Sequence, residues 1–367
     1  MIPWAKPEFH HYEEKYVKQA MKSLWISDGS FVQRFEKNFS SFLKVKNSLT
    51  TSNATAAIHL AFLTLGLKKG DEIILPGFGY MAAGNLAIQM GLKPVFADVD
   101  KETFCITTDN IKKQITNKTR LVVIINTYGN VCDLSPIVNL LKKRKITLLE
   151  DCAESLGSTY KNKNSGTFAD IAIYSFQATK TITTGEGGMI ITKKNKNFFK
   201  KMRSFRSHGV IKKRYLHIYP GHNFRLTNLQ AAIGCAQLEK FSKIKKERER
   251  VFNCYKNYFQ NIDGVHLQKI NKNVSPVLWT FALVIDEKKF PNRDKIIKML
   301  KKKGIETRNG FYSPCRMSLY KKYKTLHLKN SNFLSKNVIC LPFFTSIKNK
   351  QIKYIYNQFI KLRKNYL

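Results

Sequence analysis

The sequence predicts an α/β protein built on a mostly parallel sheet covered on both faces, followed by a second, smaller domain. Three observations carry this expectation. Between residues 46 and 193, continuous apolar runs of strand length recur, and segments of helical character separate several of them. Strands that are apolar throughout, rather than alternating, belong to sheets buried on both faces by crossover helices. The chain has 367 residues, too many for one small core, so two domains are the natural expectation. A long charged helical segment at about 228–260 then leads away from the strand-rich region. The boundary is placed near Lys240, giving a large domain over 1–240 and a small one over 241–367.

Strands are expected at 72–75, 94–99, 121–125, 146–150, 171–176 and 189–192, and helices at 54–65, 81–90 and 134–143. Length separates the two sets: the apolar runs are short, while the helical segments extend further. The segment from 228 opens with Ala231-Ala232-Ile233-Gly234-Cys235-Ala236, small residues that suit close packing, and continues rich in Lys, Arg and Glu. Beyond it, 277–285 reads as a strand, 293–303 as an amphipathic helix and 348–364 as a C-terminal helix.

The net charge of +39 is the loudest compositional signal. A field of that sign attracts nucleic acid, anionic membrane or a polyphosphate ligand. Yet the lysines are spread along the chain, in pieces such as Lys142-Lys143-Arg144-Lys145 and Lys301-Lys302-Lys303, and are not interleaved with aromatics in one stripe. A composition bias on solvated faces is the favoured reading. A basic nucleic-acid-binding protein is the competing reading from a different class, and salt-sensitive DNA binding would favour it. No run approaches the ~20 apolar residues of a membrane span. Met1-Ile2-Pro3-Trp4 lacks the basic region and apolar core of a signal peptide. The seven cysteines are scattered, without a CxxC pair, which fits reduced thiols. A cytoplasmic protein without a metal site is therefore expected.

In a parallel sheet, ligands collect at the carboxyl ends of the strands, so the residues there carry the chemistry. Glu150-Asp151 ends one apolar run. A carboxylate in that place needs a cationic or strongly donating partner; a helix cap or ion pair is as good a reading as a cofactor contact. Ser175 lies near the end of the next run, and Lys180 follows it among threonines. Such a lysine can be desolvated, its amine pKa lowered, and so made ready for covalent chemistry with an aldehyde cofactor. The bland alternative is one more surface lysine. Gly185-Glu186-Gly187-Gly188 is a turn, or a place where backbone passes close to a ligand. Thr51-Ser52-Asn53-Ala54-Thr55 precedes a helical segment. It is either an ordinary N-cap or a phosphate site at a helix N-terminus.

The stretch 175–188, with its Lys-Thr-Ile-Thr-Thr-Gly-Glu-Gly-Gly core, resembles the sugar aminotransferases of the DegT/StrS family. The likeness covers nearly the whole chain: Trp25-Ile26-Ser27-Asp28-Gly29, 52–60, 76–87, Tyr128-Gly129, Glu150-Asp151-Cys152-Ala153-Glu154, Asn223-Phe224-Arg225-Leu226-Thr227-Asn228 and Ile305-Glu306-Thr307-Arg308. The resemblance implies the aspartate-aminotransferase-like fold (type I) of enzymes dependent on pyridoxal 5'-phosphate. That fold has a large domain on a mostly parallel seven-stranded sheet and a smaller C-terminal α+β domain.

By the same resemblance, Lys180 would hold the cofactor covalently and later carry the proton between substrate carbon and cofactor. Asp151 would pair with the protonated pyridine nitrogen, and Tyr80 would stack on the ring. Ala54, Thr55 and Ser175 would hold the phosphate. Glu154 would lie near the ring substituents, and Asn223 would reach the phosphate of a second subunit, making a homodimer part of the site. The implied reaction moves an amino group from L-glutamate to a nucleotide-linked 4-keto-6-deoxy sugar, for surface-polysaccharide biosynthesis. Lysine at position 180 favours completed transfer, since related dehydratases of this fold carry histidine there. Departures from the family include Ala54 for glycine, Gly79-Tyr80 for a threonine-aromatic pair, and the residues Gln177-Ala178. Ser313, Pro314 and Cys315 also differ, in a stretch expected to help line the sugar pocket. These leave open action at carbon 3, or on a small keto compound outside the sugar nucleotides.

Overall fold

A computed structural model of the chain describes residues 1–211, 213, 215–323 and 327–363. Its main sheet has seven strands in the order Ser48–Thr51, Gly188–Thr192, Ile171–Ser175, Thr147–Asp151, Thr119–Ile125, Glu72–Pro76 and Lys93–Ala97. All neighbours pair parallel except Gly188–Thr192, which runs antiparallel to the strands on both sides.

The continuous apolar runs are explained by what each face touches. Successive side chains of a strand point to opposite faces. Ile73, Leu75, Leu121 and Val123 enter one core with the helices Ala54–Leu65 and Ala82–Gln89. Ile74, Val122 and Ile124, between them in sequence, enter another with Ile137 and Leu141 of the helix Leu134–Arg144.

The strand Ser48–Thr51 has no apolar run to announce it. Its four residues are nevertheless buried. The amide and hydroxyl of Thr50 donate to Glu36 at 2.9 and 2.8 Å, and Arg206 donates to the same carboxylate at 2.9 Å. Polar pairing, not apolar content, lets that edge strand be covered.

Residues beyond 240 build an antiparallel four-stranded sheet in the order Val265–Leu267, Phe281–Ile285, Val338–Leu341 and Arg308–Asn309. The helices Phe241–Phe259, Arg293–Lys302 and Asn349–Ile360 cover it around a core that includes Tyr255, Phe281, Leu300 and Phe359. Residues 274–275 pair with 159–160 and so tie this part back to the main body. The beginning of the chain is woven in as well. Ile2 donates to Gly304 at 2.7 Å and accepts from Glu306 at 3.0 Å, and Phe343 donates to the Trp4 carbonyl at 2.9 Å.

Three expected elements change shape. The helix expected over 228–260 is two helices, Asn228–Glu239 and Phe241–Phe259, interrupted at Lys240 (φ −95°, ψ 6°). The halves answer different surroundings. The first is packed by small residues against the helices His11–Lys22 and Ser30–Leu43, while the second presents one stripe, Val251, Tyr255 and Phe259, to the C-terminal core. The strand expected at 277–285 begins only at Phe281, because residues 277–280 are held by the main body instead. The C-terminal helix spans Asn349–Ile360, and Lys364 of the expected helix lies outside the described residues. Among the described residues no helix is long and apolar enough to cross a membrane.

Candidate active site

The strands Thr147–Asp151 and Ile171–Ser175 run side by side, parallel, and both end at one cavity of about 770 Å³. Ala54, Thr55, Tyr80, Asp151, Glu154, Ser175 and Lys180 all line it. Asn223 is the exception among the expected site residues. It lies on an exposed segment and accepts a 3.2 Å hydrogen bond from Arg225.

Lys180 is delivered by the turn after the strand Ile171–Ser175. Its amide donates to the Gln177 carbonyl at 2.8 Å, and Thr184 closes the loop by donating to Phe176 at 2.9 Å. The ammonium stands 3.7 Å from Glu154 Oε1 and 3.9 Å from the centre of the Trp279 ring. Burial pulls the Lys180 amine below its ordinary pKa, while the charges of Glu154 and Asp151 pull it back up. Burial also raises both carboxyls, Glu154 to about 7 against the opposing pull of Lys180, and Asp151 to about 6 against the Ala153 amide. The result is an amine held below its ordinary range beside two acids raised toward neutral pH, the kind of environment found at sites that move protons.

Glu154 is aimed by the backbone. Its Oε2 accepts from the Tyr128 amide at 2.8 Å. Tyr128 sits in the left-handed region at φ 61°, and Gly129 follows at φ 100°. A Cβ on Gly129 would lie 2.4 Å from the Val277 carbonyl oxygen. Gly129→Ala therefore combines a strained φ with a backbone clash, and about 1–3 kcal/mol of stability should be lost. Denaturant unfolding checks it, and an unchanged midpoint would contradict the close approach described.

At the opposite wall, the helix Ala54–Leu65 begins at the cavity. Asn53 caps it by accepting from Ala56 at 2.8 Å. Gly188 allows the approach: a Cβ there would stand 2.6 Å from the Asn53 carbonyl carbon. A helix N-terminus beside the Ser175 hydroxyl suits a phosphate. An amine, a carboxylate aligned with a strand end and an anion cradle in one cavity fit pyridoxal 5'-phosphate in the chemistry of their donors. Tyr80 stands at the mouth, 66% exposed, with its ring 6.4 Å from that of Phe311.

The cavity also holds residues to which the sequence reading assigns no role. Trp4, Tyr128, Trp279, Arg308 and Phe311 are among its lining. Trp4 and Trp279 meet edge to face at 5.3 Å, and Tyr128 stacks on Phe311 at 5.2 Å. The signal available for Arg308 is its place after Ile305-Glu306-Thr307; for Trp279 there is none, since it reads as part of a strand. The stretch with Ser313, Pro314 and Cys315 does not line this chain's cavity, contrary to expectation. Ser313 and Pro314 are buried, the Ser313 amide donating to Ser335 at 3.1 Å, and Cys315 accepts from Asn332 at 3.4 Å. Packing against the helix Lys329–Asn337 takes up those side chains.

This topology, with a buried lysine beside two carboxyls at the carboxyl edge of the sheet, defines an aminotransferase dependent on pyridoxal 5'-phosphate, of fold type I. The chain belongs to the DegT/DnrJ/EryC1/StrS aminotransferase family, whose model matches residues 7–360. It is 38% identical over 357 residues to a GDP-perosamine synthase of Escherichia coli O157:H7, covering 96% of each chain. Among solved structures, it resembles the sugar aminotransferase Spr1654 of Streptococcus pneumoniae in its PLP-form, with a TM-score of 0.94, 25% identity and coverage of 100% and 99%. PseC of Helicobacter pylori, an aminotransferase involved in the biosynthesis of pseudoaminic acid, matches with a TM-score of 0.93, 27% identity and 99% of each chain.

Proposed function

We propose that the protein moves an amino group from L-glutamate to carbon 4 of a nucleotide-linked 4-keto-6-deoxy sugar, of the GDP-4-keto-6-deoxymannose kind, in the cytoplasm, for surface-polysaccharide (O-antigen) biosynthesis. The observation that carries this reading is Lys180, buried at one cavity with Asp151 and Glu154; the identity to GDP-perosamine synthases supports the substrate class. When bound, the cofactor supplies an electron sink that makes the α-proton of the donor labile. The chain's own groups do the rest. The amides of Ala54 and Thr55 and the Ser175 hydroxyl would hold the phosphate. Asp151 would keep the ring nitrogen protonated, and Tyr80 would cover the ring at the cavity mouth. Lys180 would fix the cofactor and, once freed by the donor, carry the proton between substrate carbon and cofactor. Glu154 sits beside that amine throughout.

We assign the working unit as a homodimer in which the partner subunit's Asn223 completes the phosphate site. Its support is the outward placement of Asn223 together with exposed apolar side chains at Met21, Leu24, Trp25, Ile26, Leu216 and Ile218, a kind of surface that marks association. The interruption at Lys240 supports dividing the chain there, into parts 1–240 and 241–367.

Among the described residues, the cations lining the cavity are Lys180 and Arg308. Both proposed substrates are anions, and Arg308, paired with Glu306 at 2.6 Å, is the cation besides the cofactor lysine that can receive one. Arg308→Ala should raise KM for one of the two substrates about tenfold with a smaller change in kcat, the loss of a charge-assisted hydrogen bond. Steady-state kinetics with each substrate varied in turn checks it, and an unchanged KM for both would remove Arg308 from the site.

The test of the function is the visible spectrum of the protein with pyridoxal 5'-phosphate before and after L-glutamate. A cofactor band that glutamate converts, and that a keto sugar nucleotide restores, is the expected result. A band that glutamate leaves unchanged sinks the donor assignment, and restoration only by a 3-keto sugar or a small keto acid replaces the substrate assignment.

A further inference from the structure

In a two-step transfer the donor amine displaces Lys180, so for part of each cycle the lysine is free and must stay within reach. Its amine would carry the proton lost by the donor carbon to the cofactor in the first half-reaction and one from the cofactor to the sugar carbon in the second, and between the two it stands free to take a proton from water as an ammonium. The free side chain therefore needs a resting place that attracts a cation without taking its proton.

In the structure the Lys180 Nζ stands 3.9 Å from the centre of the Trp279 ring and 3.7 Å from Glu154 Oε1. We infer that the indole face of Trp279 is a positioning element that holds the released Lys180 ammonium beside Glu154 between the two half-reactions. This rests on Lys180 being the lysine that carries the cofactor. An aromatic face attracts a cation through its quadrupole, and more strongly where water is excluded. It has no lone pair that competes for the proton. A carboxylate alone in the same place would bind the ammonium and share its proton.

Trp279 is fastened as a fixed part would be. Its amide donates to the Tyr128 carbonyl at 3.0 Å, and its indole N–H donates to the Thr179 carbonyl at 2.8 Å, one residue before the lysine. Arg248, from the helix Phe241–Phe259, reaches the carbonyls of Leu278 at 3.1 Å, Trp279 at 3.3 Å and Lys180 at 3.5 Å. Arg248 is itself 6% exposed, and its Nε has no hydrogen-bond partner among the described residues. A buried cation without a carboxylate partner, held by carbonyls and the face of Phe343, is costly, and here it joins the loop bearing the ring to the loop bearing the lysine. Tyr128 closes the circuit, since its amide holds Glu154 at 2.8 Å. The ring and the carboxylate are thus set by one connected frame.

The test reads the lysine itself. The full chain, loaded with cofactor and converted to the amine form by L-glutamate without acceptor, is pulsed with acetic anhydride at a series of pH values. Acetylation of Lys180 is measured by mass spectrometry against the exposed Lys142. Trp279→Leu keeps an apolar wall but removes the face, so Lys180 should react about 2- to 30-fold faster at a given pH below its midpoint, and the midpoint should move down. Trp279→Phe keeps a face and should stay within about threefold of the parent. Equal labelling of the parent and Trp279→Leu overturns the proposal. So does Trp279→Phe reacting as fast as Trp279→Leu, which would mean that the indole hydrogen bond, not the face, matters. Borohydride reduction of the starting protein separates the two levels: cofactor fixed to another lysine removes both the assignment and the proposal, whereas cofactor on Lys180 with unchanged labelling removes the proposal alone.

Discussion

Lys180→Ala should abolish product formation while leaving the phosphate contacts intact. Two losses coincide in that substitution. No amine remains to fix the cofactor, and none remains to carry the proton between substrate carbon and cofactor. Proton transfer by a placed side chain is worth roughly 10²–10⁴-fold on its own, so the rate should fall by at least that much. The variant should still take up cofactor, because Ser175 and the start of the helix Ala54–Leu65 are untouched. Mass spectrometry after borohydride reduction should find no cofactor attached to the chain. Full turnover by this variant would sink the mechanism.

Asp151→Asn is expected to be nearly as severe, for a different reason. An amide in place of the carboxylate cannot keep a pyridine nitrogen protonated, and a fixed charge removed from a dry site costs on the order of 10²–10³-fold in rate. A pH dependence distinguishes this from a packing defect. Burial raises the Asp151 carboxyl to about 6. Below that pH the group becomes neutral and cannot pair with a cationic ring, so cofactor affinity in the parent should weaken as pH falls through about 6. The raised pKa places the loss on the acid side, where a carboxyl held low would have kept its charge. Asp151→Asn should show weak affinity without that limb. Titration of cofactor by fluorescence between pH 5 and 8 measures both, and a parallel limb in the variant would assign the titration to another group.

The residues legible in the sequence are those placed by short stretches of chain. Asp151, Ser175 and Lys180 lie at or just after apolar strands, so the sheet alone brings them to one edge. Ala54 and Thr55 follow from a capped helix start in the same way. What the sequence hides is set by distant docking. Trp279 lies about a hundred positions after Lys180 within an apolar run, and its place depends on the hydrogen bonds it donates to the Tyr128 and Thr179 carbonyls and accepts from Arg248. The strand Ser48–Thr51 is hidden for a related reason: its Thr50 is satisfied by Glu36 and Arg206, which no local pattern announces. The break at Lys240 is likewise a matter of surroundings. The residues on both sides favour helix, and only the change of neighbours separates them.

The weaving of the first residues into the last third of the chain bears on how the protein is made. Trp4 and Cys340 border the same cavity, and Ile2 and Phe343 are joined to partners some three hundred positions away. A growing polypeptide emerges from the ribosome in order, so the early segment waits until nearly everything else has been synthesised. Long waits of this sort slow the final collapse and leave apolar surface uncovered. Colour from the cofactor should then be acquired only after release from the ribosome, and a chain arrested before about residue 340 should remain pale.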